Sequence, residues 1–280
     1  MRAYPIKRDM KRLIPPLLLA NALQAFALPQ NAPVPGGVAV IDLGPATQAA
    51  PLARWGEQAL AVVNERGRWF ALLGIPLDTL PGELEIRVSK GGVIEPKTVA
   101  IGIRNYPEQR LTIKDKRKVE PSPEDIVRIE REQKVTEAVK KRFSETPPDT
   151  ALDQPSPGPL SSRFGLRRFF NGQPRNPHAG LDVAASSGTP VHAPSDAVVA
   201  NTGDYFFNGN TDFLDHGQGL ITAYMHLSRI DVRPGQTVKR GEPLGAIGAT
   251  GRVTGPHLHW AVILNNTPVD PEFFLSTRRK

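Results

Sequence analysis

The chain has 280 residues, 39% of them hydrophobic and 22% charged, which is long enough for two domains with cores of their own. Its 28 prolines and 25 glycines favour a turn-rich β protein, and the absence of any cysteine excludes disulfides and a lipid anchor attached through one. A net charge of +7 would suggest an acidic partner if it were spread over the surface.

It is not spread. Arg2, Lys7, Arg8, Lys11 and Arg12 precede an apolar run from Leu13 to Leu28, which Pro15-Pro16 interrupts and which is too short to cross a bilayer. The run contains Ala25-Phe26-Ala27, a small-x-small cleavage signature. Residues 1–27 therefore read as a secretory signal peptide, with Met10 as an alternative start. An uncleaved anchor is the poorer reading of the same stretch. Cleavage removes five cations and one acid, Asp9, and takes the net charge from +7 to about +3. The expected location is the periplasm, with secretion as the alternative. Nucleic acid is not expected as a partner, nor is stable membrane insertion after cleavage.

Residues 28–118 read as a small β domain. Val38–Ile41, Leu60–Val63, Arg68–Leu73, Glu83–Val88 and Lys97–Ile103 are strand-length runs, and Leu84, Ile86 and Val88 alternate with Glu83, Glu85 and Arg87. Such spacing predicts an immunoglobulin-like sandwich. With no histidine and no catalytic cluster, it is expected to regulate or target, including by shielding a groove elsewhere in the chain as an autoinhibitor.

Residues 119–159 change character. Ser122-Pro123-Glu124-Asp125 is a helix start with a cap, a first-position proline and acids in the first turn. Ile126, Ile129, Val135, Val139 and Phe143 supply apolar positions for one docked face. Prolines 147, 148, 155, 157 and 159 then predict a stiff linker and a domain boundary.

Residues 160–280 return to β pattern with tight glycine turns. Here lie all six histidines of the chain, four of them in three short motifs: His178-Ala-Gly-Leu-Asp182, Tyr224-Met-His226-Leu and His257-Leu-His259-Trp260. On strands, residues two apart share a face, so His257 and His259 are expected to point together, as are Tyr224 and His226. Catalytic zinc sites take three protein ligands and leave a position to water. Two histidines and Asp182 meet that count, and two histidines remain for proton transfer. His192 reads as an edge-strand residue and His216 as a structural turn residue. Arg163, Arg167, Arg175 and Asn176 are read either as peptide contacts or as solvated loop charges. Phe206-Phe207 reads either as a substrate platform or as a packed hairpin tip.

The stretches Ser162-Arg-Phe-Gly165, Pro177–Asp182, Gly188–Pro194, Asp215-His-Gly217, Tyr224–Leu227 and Gly255–His259 together resemble the lysostaphin/LytM-type zinc metalloendopeptidases, which cleave peptidoglycan. The resemblance covers about 120 residues, with no departure at the matched positions, and implies a Gly-rich antiparallel β peptidase domain. It implies that His178, Asp182 and His259 bind one Zn2+ and that His226 and His257 serve the chemistry, with peptidoglycan as substrate. A catalytically silent relative that switches on a cell-wall amidase is the alternative. A sugar-transport phosphocarrier, which also pairs histidines in a β fold, has no need of Asp182.

Overall fold

The computed structural model describes residues 28–276, so the expected signal peptide lies outside the described residues. No helix among them is long and apolar enough to cross a membrane. The chain is mainly β. Val38–Pro45, Arg68–Gly74 and Ala61–Glu65 form one antiparallel sheet in that order, and Gln58–Ala59, Leu52–Trp55, Gly82–Lys90 and Val93–Ile101 form a second. The alternation at 83–88 works as expected: Ile86 and Val88 are buried while Glu83, Glu85 and Arg87 face water. The two sheets close over Leu43, Leu60, Leu73, Ile75, Ile86 and Val88, a small sandwich.

The first of these sheets is buried on its other face too. Val38, Ala61, Val63 and Leu72 belong to the same core as Leu220, Val262, Leu264 and Val269 of the C-terminal half. Gly74 lies against the backbone there, where a Cβ would come within 2.6 Å of the Leu264 carbonyl oxygen. The two halves are joined by apolar packing, not only by a connector.

The C-terminal half is a ten-stranded sheet. Its main path runs Thr237–Val238, Ala197–Tyr205, Gly209–Gly217, Leu220–Ile230, Leu258–Leu264, Leu181–Val183, Leu160–Ser162. One face packs Trp260, Tyr224, Leu214 and Leu258 into the large core, and the other buries Phe213, Ile221, Ala223 and Ile263. Between the halves, Glu108–Leu111 pairs in parallel with Arg167–Phe170, which in turn pairs with Gln173–Pro174.

The connecting region differs from expectation in two ways. The helix forms at Pro123–Lys140 with the capping box on Ser122 and Asp125, but of its apolar positions only Val139 is buried. Ile126 and Val135 are 46% and 39% exposed, because the helix is held largely by polar contacts. Arg128 donates to the Asp204 carbonyl at 3.1 Å, and Glu132 accepts the Phe206 N–H at 2.7 Å. The proline-rich stretch is not a free spacer. Ala151 and Leu152 are buried, Leu152 sits in the main core beside Phe274, and Arg240 holds the Ala151 carbonyl at 2.8 Å. Five prolines lower the entropy cost of fixing this segment against the fold.

Candidate metal centre

Asp182 and His259 are direct cross-strand partners in the pairing of Leu181–Val183 with Leu258–Leu264. His178 reaches the same point from the loop before the first of these strands. His178 Nε2, Asp182 Oδ1 and His259 Nδ1 lie 2.8–3.0 Å from one another, and all three residues are buried. His178 Nδ1 donates to the Arg163 carbonyl at 2.7 Å, so its Nε2 turns an unshared pair toward the cluster. Burial draws the His259 pKa down to about 4 despite Asp182 beside it, which keeps the ring neutral. For Asp182 burial acts to raise the pKa, but the contacts with His178 and His259 outweigh it and hold the carboxylate well below its usual range. Three convergent ligand atoms in a buried site are arranged for a cation.

Gly180 makes room for this. A Cβ there would stand 2.6 Å from both His259 Nε2 and the Trp260 carbonyl oxygen, so the spacer between His178 and Asp182 admits no side chain without displacing a ligand.

His257, just before its strand, points as expected to the same side as His259, with Nε2 at 3.9 Å from Asp182 Oδ1, while Leu258 and Trp260 are fully buried in the core. Tyr224 and His226 do not share a face, contrary to the strand reading. The register with Gly209–Gly217 slips between Tyr224 and Leu227, and His226 takes φ +66 within a β-bulge. The extra residue turns His226 toward the histidine cluster, with its ring centroid 4.9 Å from that of His257 and 6.1 Å from that of His259, and leaves Tyr224 buried, bonded to Thr222 at 2.7 Å. Gly-free sequence offered no sign of the bulge.

His226 Nδ1 lies 2.8 Å from the Thr250 carbonyl and His257 Nδ1 lies 2.9 Å from the Gly255 carbonyl. A carbonyl only accepts, so each Nδ1 carries a proton, and in the neutral ring Nε2 is left with an unshared pair. Burial, then the charges of His257 and His259, push the His226 pKa to about 3.

The remaining candidates separate. His216 is buried between the Asp196 carbonyl at 3.0 Å and Thr222 at 2.8 Å, a structural position, and His192 ends the edge strand Pro190–His192. Arg163 is paired with Glu272, Arg167 with Glu108 at 3.5 Å, and Arg175 donates to the Val119 carbonyl at 2.9 Å, while Asn176 is exposed. Phe206 is packed down under Lys118, whose Nζ lies 3.7 Å from the ring centroid; Phe207 instead faces Arg252 at 4.3 Å. One residue absent from the sequence reading matters at the centre. Arg168 donates to the second oxygen of Asp182 at 3.2 Å.

A cavity of about 670 Å³ lies elsewhere, lined by Arg142, Asp196, Asp215, His216, Lys239 and Arg240. Its charges are matched in pairs, Arg142 with Asp215, Lys239 with Asp196 and Arg240 with Asp149, so it carries no excess charge to draw a ligand.

The Peptidase family M23 model matches residues 176–271, and the M23 N-terminal domain model matches residues 31–102. Peptidoglycan DD-endopeptidase ShyA of Vibrio cholerae is 45% identical over 112 residues, 40% of this chain and 26% of the relative. DD-carboxypeptidase/endopeptidase Mpg of Neisseria meningitidis is 41% identical over a segment with the same two shares. The chain thus aligns with about a quarter of the length of these curated relatives. A crystal structure from Pseudomonas aeruginosa, of a protein assigned to peptidase M23, is 44% identical with a TM-score of 0.76, covering 89% of this chain and 97% of that one. With both family regions in order and a solved relative matched over nearly its whole length, the chain belongs to peptidase family M23.

Proposed function

We propose that the chain is an exported, zinc-dependent endopeptidase that hydrolyses peptide bonds in peptidoglycan stem peptides or cross-links. One observation carries the reading: three buried ligand atoms converge within 3.0 Å of one another, beside two histidines whose Nε2 atoms are uncommitted. The donor set of two neutral imidazoles and one carboxylate fits a catalytic zinc, and His178, Asp182 and His259 would hold it. When bound, zinc supplies a Lewis acid that readies water as a nucleophile near neutral pH and draws charge from a scissile carbonyl.

The chain's own residues do the proton work. Because Nδ1 is spent on a carbonyl in both His226 and His257, each ring enters the reaction as an acceptor at Nε2 and becomes a donor only after taking a proton. That order suits hydrolysis: a proton leaves the attacking water and is returned to the departing amine. The names of ShyA and Mpg support peptidoglycan as the substrate class, and the expected signal peptide supports export. The complete histidine and aspartate set favours an enzyme over a silent amidase activator.

The test is mass spectrometry of purified sacculi digested with the wild-type protein and with His257→Ala. New peptide termini are expected with the wild type alone. Intact cross-links after wild-type digestion, or wild-type protein purified without chelator that holds no near-stoichiometric zinc, would overturn the reading.

A further inference from the structure

Around the cluster runs a chain of hydrogen bonds that closes through a residue outside both matched family regions. Glu108–Leu111 and Arg167–Phe170 pair in parallel with Gln109 opposite Arg168, which sets the two side chains next to each other on one face of the ladder. The neighbouring pair, Arg110 and Phe169, stacks at 4.3 Å. Gln109 Oε1 accepts from Arg168 Nε at 3.1 Å, and Gln109 Nε2 donates to Ser162 Oγ at 3.0 Å. Each end of the amide thus has a partner of the right kind, which fixes its orientation. From Arg168, Nη2 goes on to Asp182 Oδ2 at 3.2 Å; from Ser162, Oγ lies 3.3 Å from His178 Nδ1.

We propose that Gln109 is a positioning residue for the metal-binding set, acting on Asp182 through Arg168 and on His178 through Ser162. The inference rests on the zinc reading above. Asp182 offers two oxygens, and only Oδ1 belongs to the cluster; the Arg168 bond at Oδ2 sets the carboxylate plane and keeps Oδ2 turned away. The Arg168 side chain is itself mostly buried, with Asp182 and Gln109 as the hydrogen-bond partners of its guanidinium among the described residues. Without Gln109 the guanidinium keeps one anchor and is free to rotate about it. The Ser162 branch completes the carbonyl contact that orients the His178 ring. Partners beyond the ligands orient them in this way in metal sites, and their loss typically costs metal affinity about 10–100-fold. The segment that follows the N-terminal sandwich therefore takes part in setting ligand geometry in the C-terminal half.

The experiment measures zinc affinity of the full chain by competition with a chromophoric chelator. It compares wild type, Gln109→Met, which keeps the shape but loses both hydrogen bonds, and Gln109→Glu, which keeps the acceptor for Arg168. Gln109→Met is expected to weaken zinc binding by about tenfold or more while the melting temperature of the metal-free protein stays near wild type, and Gln109→Glu is expected to recover most of that loss. Affinity of Gln109→Met within about twofold of wild type, or Gln109→Glu as weak as Gln109→Met, would overturn the proposal. If Gln109→Met does not fold, Arg168→Lys decides: it keeps the charge but not the fork that spans Asp182 and Gln109, and the same loss is expected. Wild-type protein that binds no zinc would instead remove the metal reading itself, a result distinct from equal affinities in wild type and variant.

Discussion

Asp212 is fully buried in Gly209–Gly217, opposite Thr202 on one side and Tyr224 on the other, and neither carboxyl oxygen has a hydrogen-bond partner among the described residues. Burial, then the charge of Asp231, pushes its pKa up to about 8. The folded chain therefore holds this proton more tightly than the unfolded one. Its contribution to stability is complete below about pH 4 and fades as pH rises to about 8, by about 1.4 kcal/mol per unit within that window. Asp212→Val should melt higher than wild type above neutrality and show a flatter dependence on pH; an unchanged slope in thermal melts would refute this. His216 sets the opposite limb. Burial lowers its pKa to about 4, so its contribution is lost as pH falls from 6.5 toward 4. At the centre, the two residues of the His-x-His motif should part company. His257→Ala should keep near-stoichiometric zinc and lose turnover by roughly 10²–10⁴-fold, whereas His259→Ala should lose both. Equal zinc loss in the two, by elemental analysis, would overturn that assignment of roles.

Among the elements, the helix was legible where its code is local and illegible where it is not. Ser122, Pro123 and Asp125 name its start because a cap needs only neighbouring residues. Its docking could not be read from apolar spacing, since Glu132 and Arg128 carry much of it through the backbone of Asp204 and Phe206. Glu132→Ala should cost about 1–2 kcal/mol and speed hydrogen exchange at the Phe206 amide, which loses its acceptor. Unchanged protection at Phe206 would show that the helix is not what holds that hairpin. The strand bearing His226 teaches the converse. Period-two alternation predicted a shared face for Tyr224 and His226, and one inserted residue reversed it, because a bulge is set by the register of the partner strand.

For the whole molecule, the N-terminal sandwich lends Val38, Ala61, Val63 and Leu72 to the core beneath the large sheet. It meets the strand Leu258–Leu264 at the Leu264 end, about 17 Å along from His259 at the usual rise per residue. A sandwich that only shields a groove predicts that deleting residues 28–150 raises activity. The shared core predicts a different outcome: the truncated protein should be insoluble or lack fixed tertiary packing, as judged by near-ultraviolet circular dichroism, and a more active, well-packed product would instead support the shielding role.

The histidine motifs, the strand alternation at 83–88 and the helix cap were all decided by residues a few positions apart, which is why the mainly β architecture and the residues that converge at His178, Asp182 and His259 were legible in the bare chain. Tertiary structure alone decided the rest. His178 meets His259 across 81 positions and Arg168 meets Gln109 across 59. Sheet register aims His226, and the three-stranded sheet of the N-terminal half is buried twice over. Local pattern tells a residue which face of its own strand it occupies, whereas contacts closed by sheet pairing and core packing depend on which distant strand lies alongside.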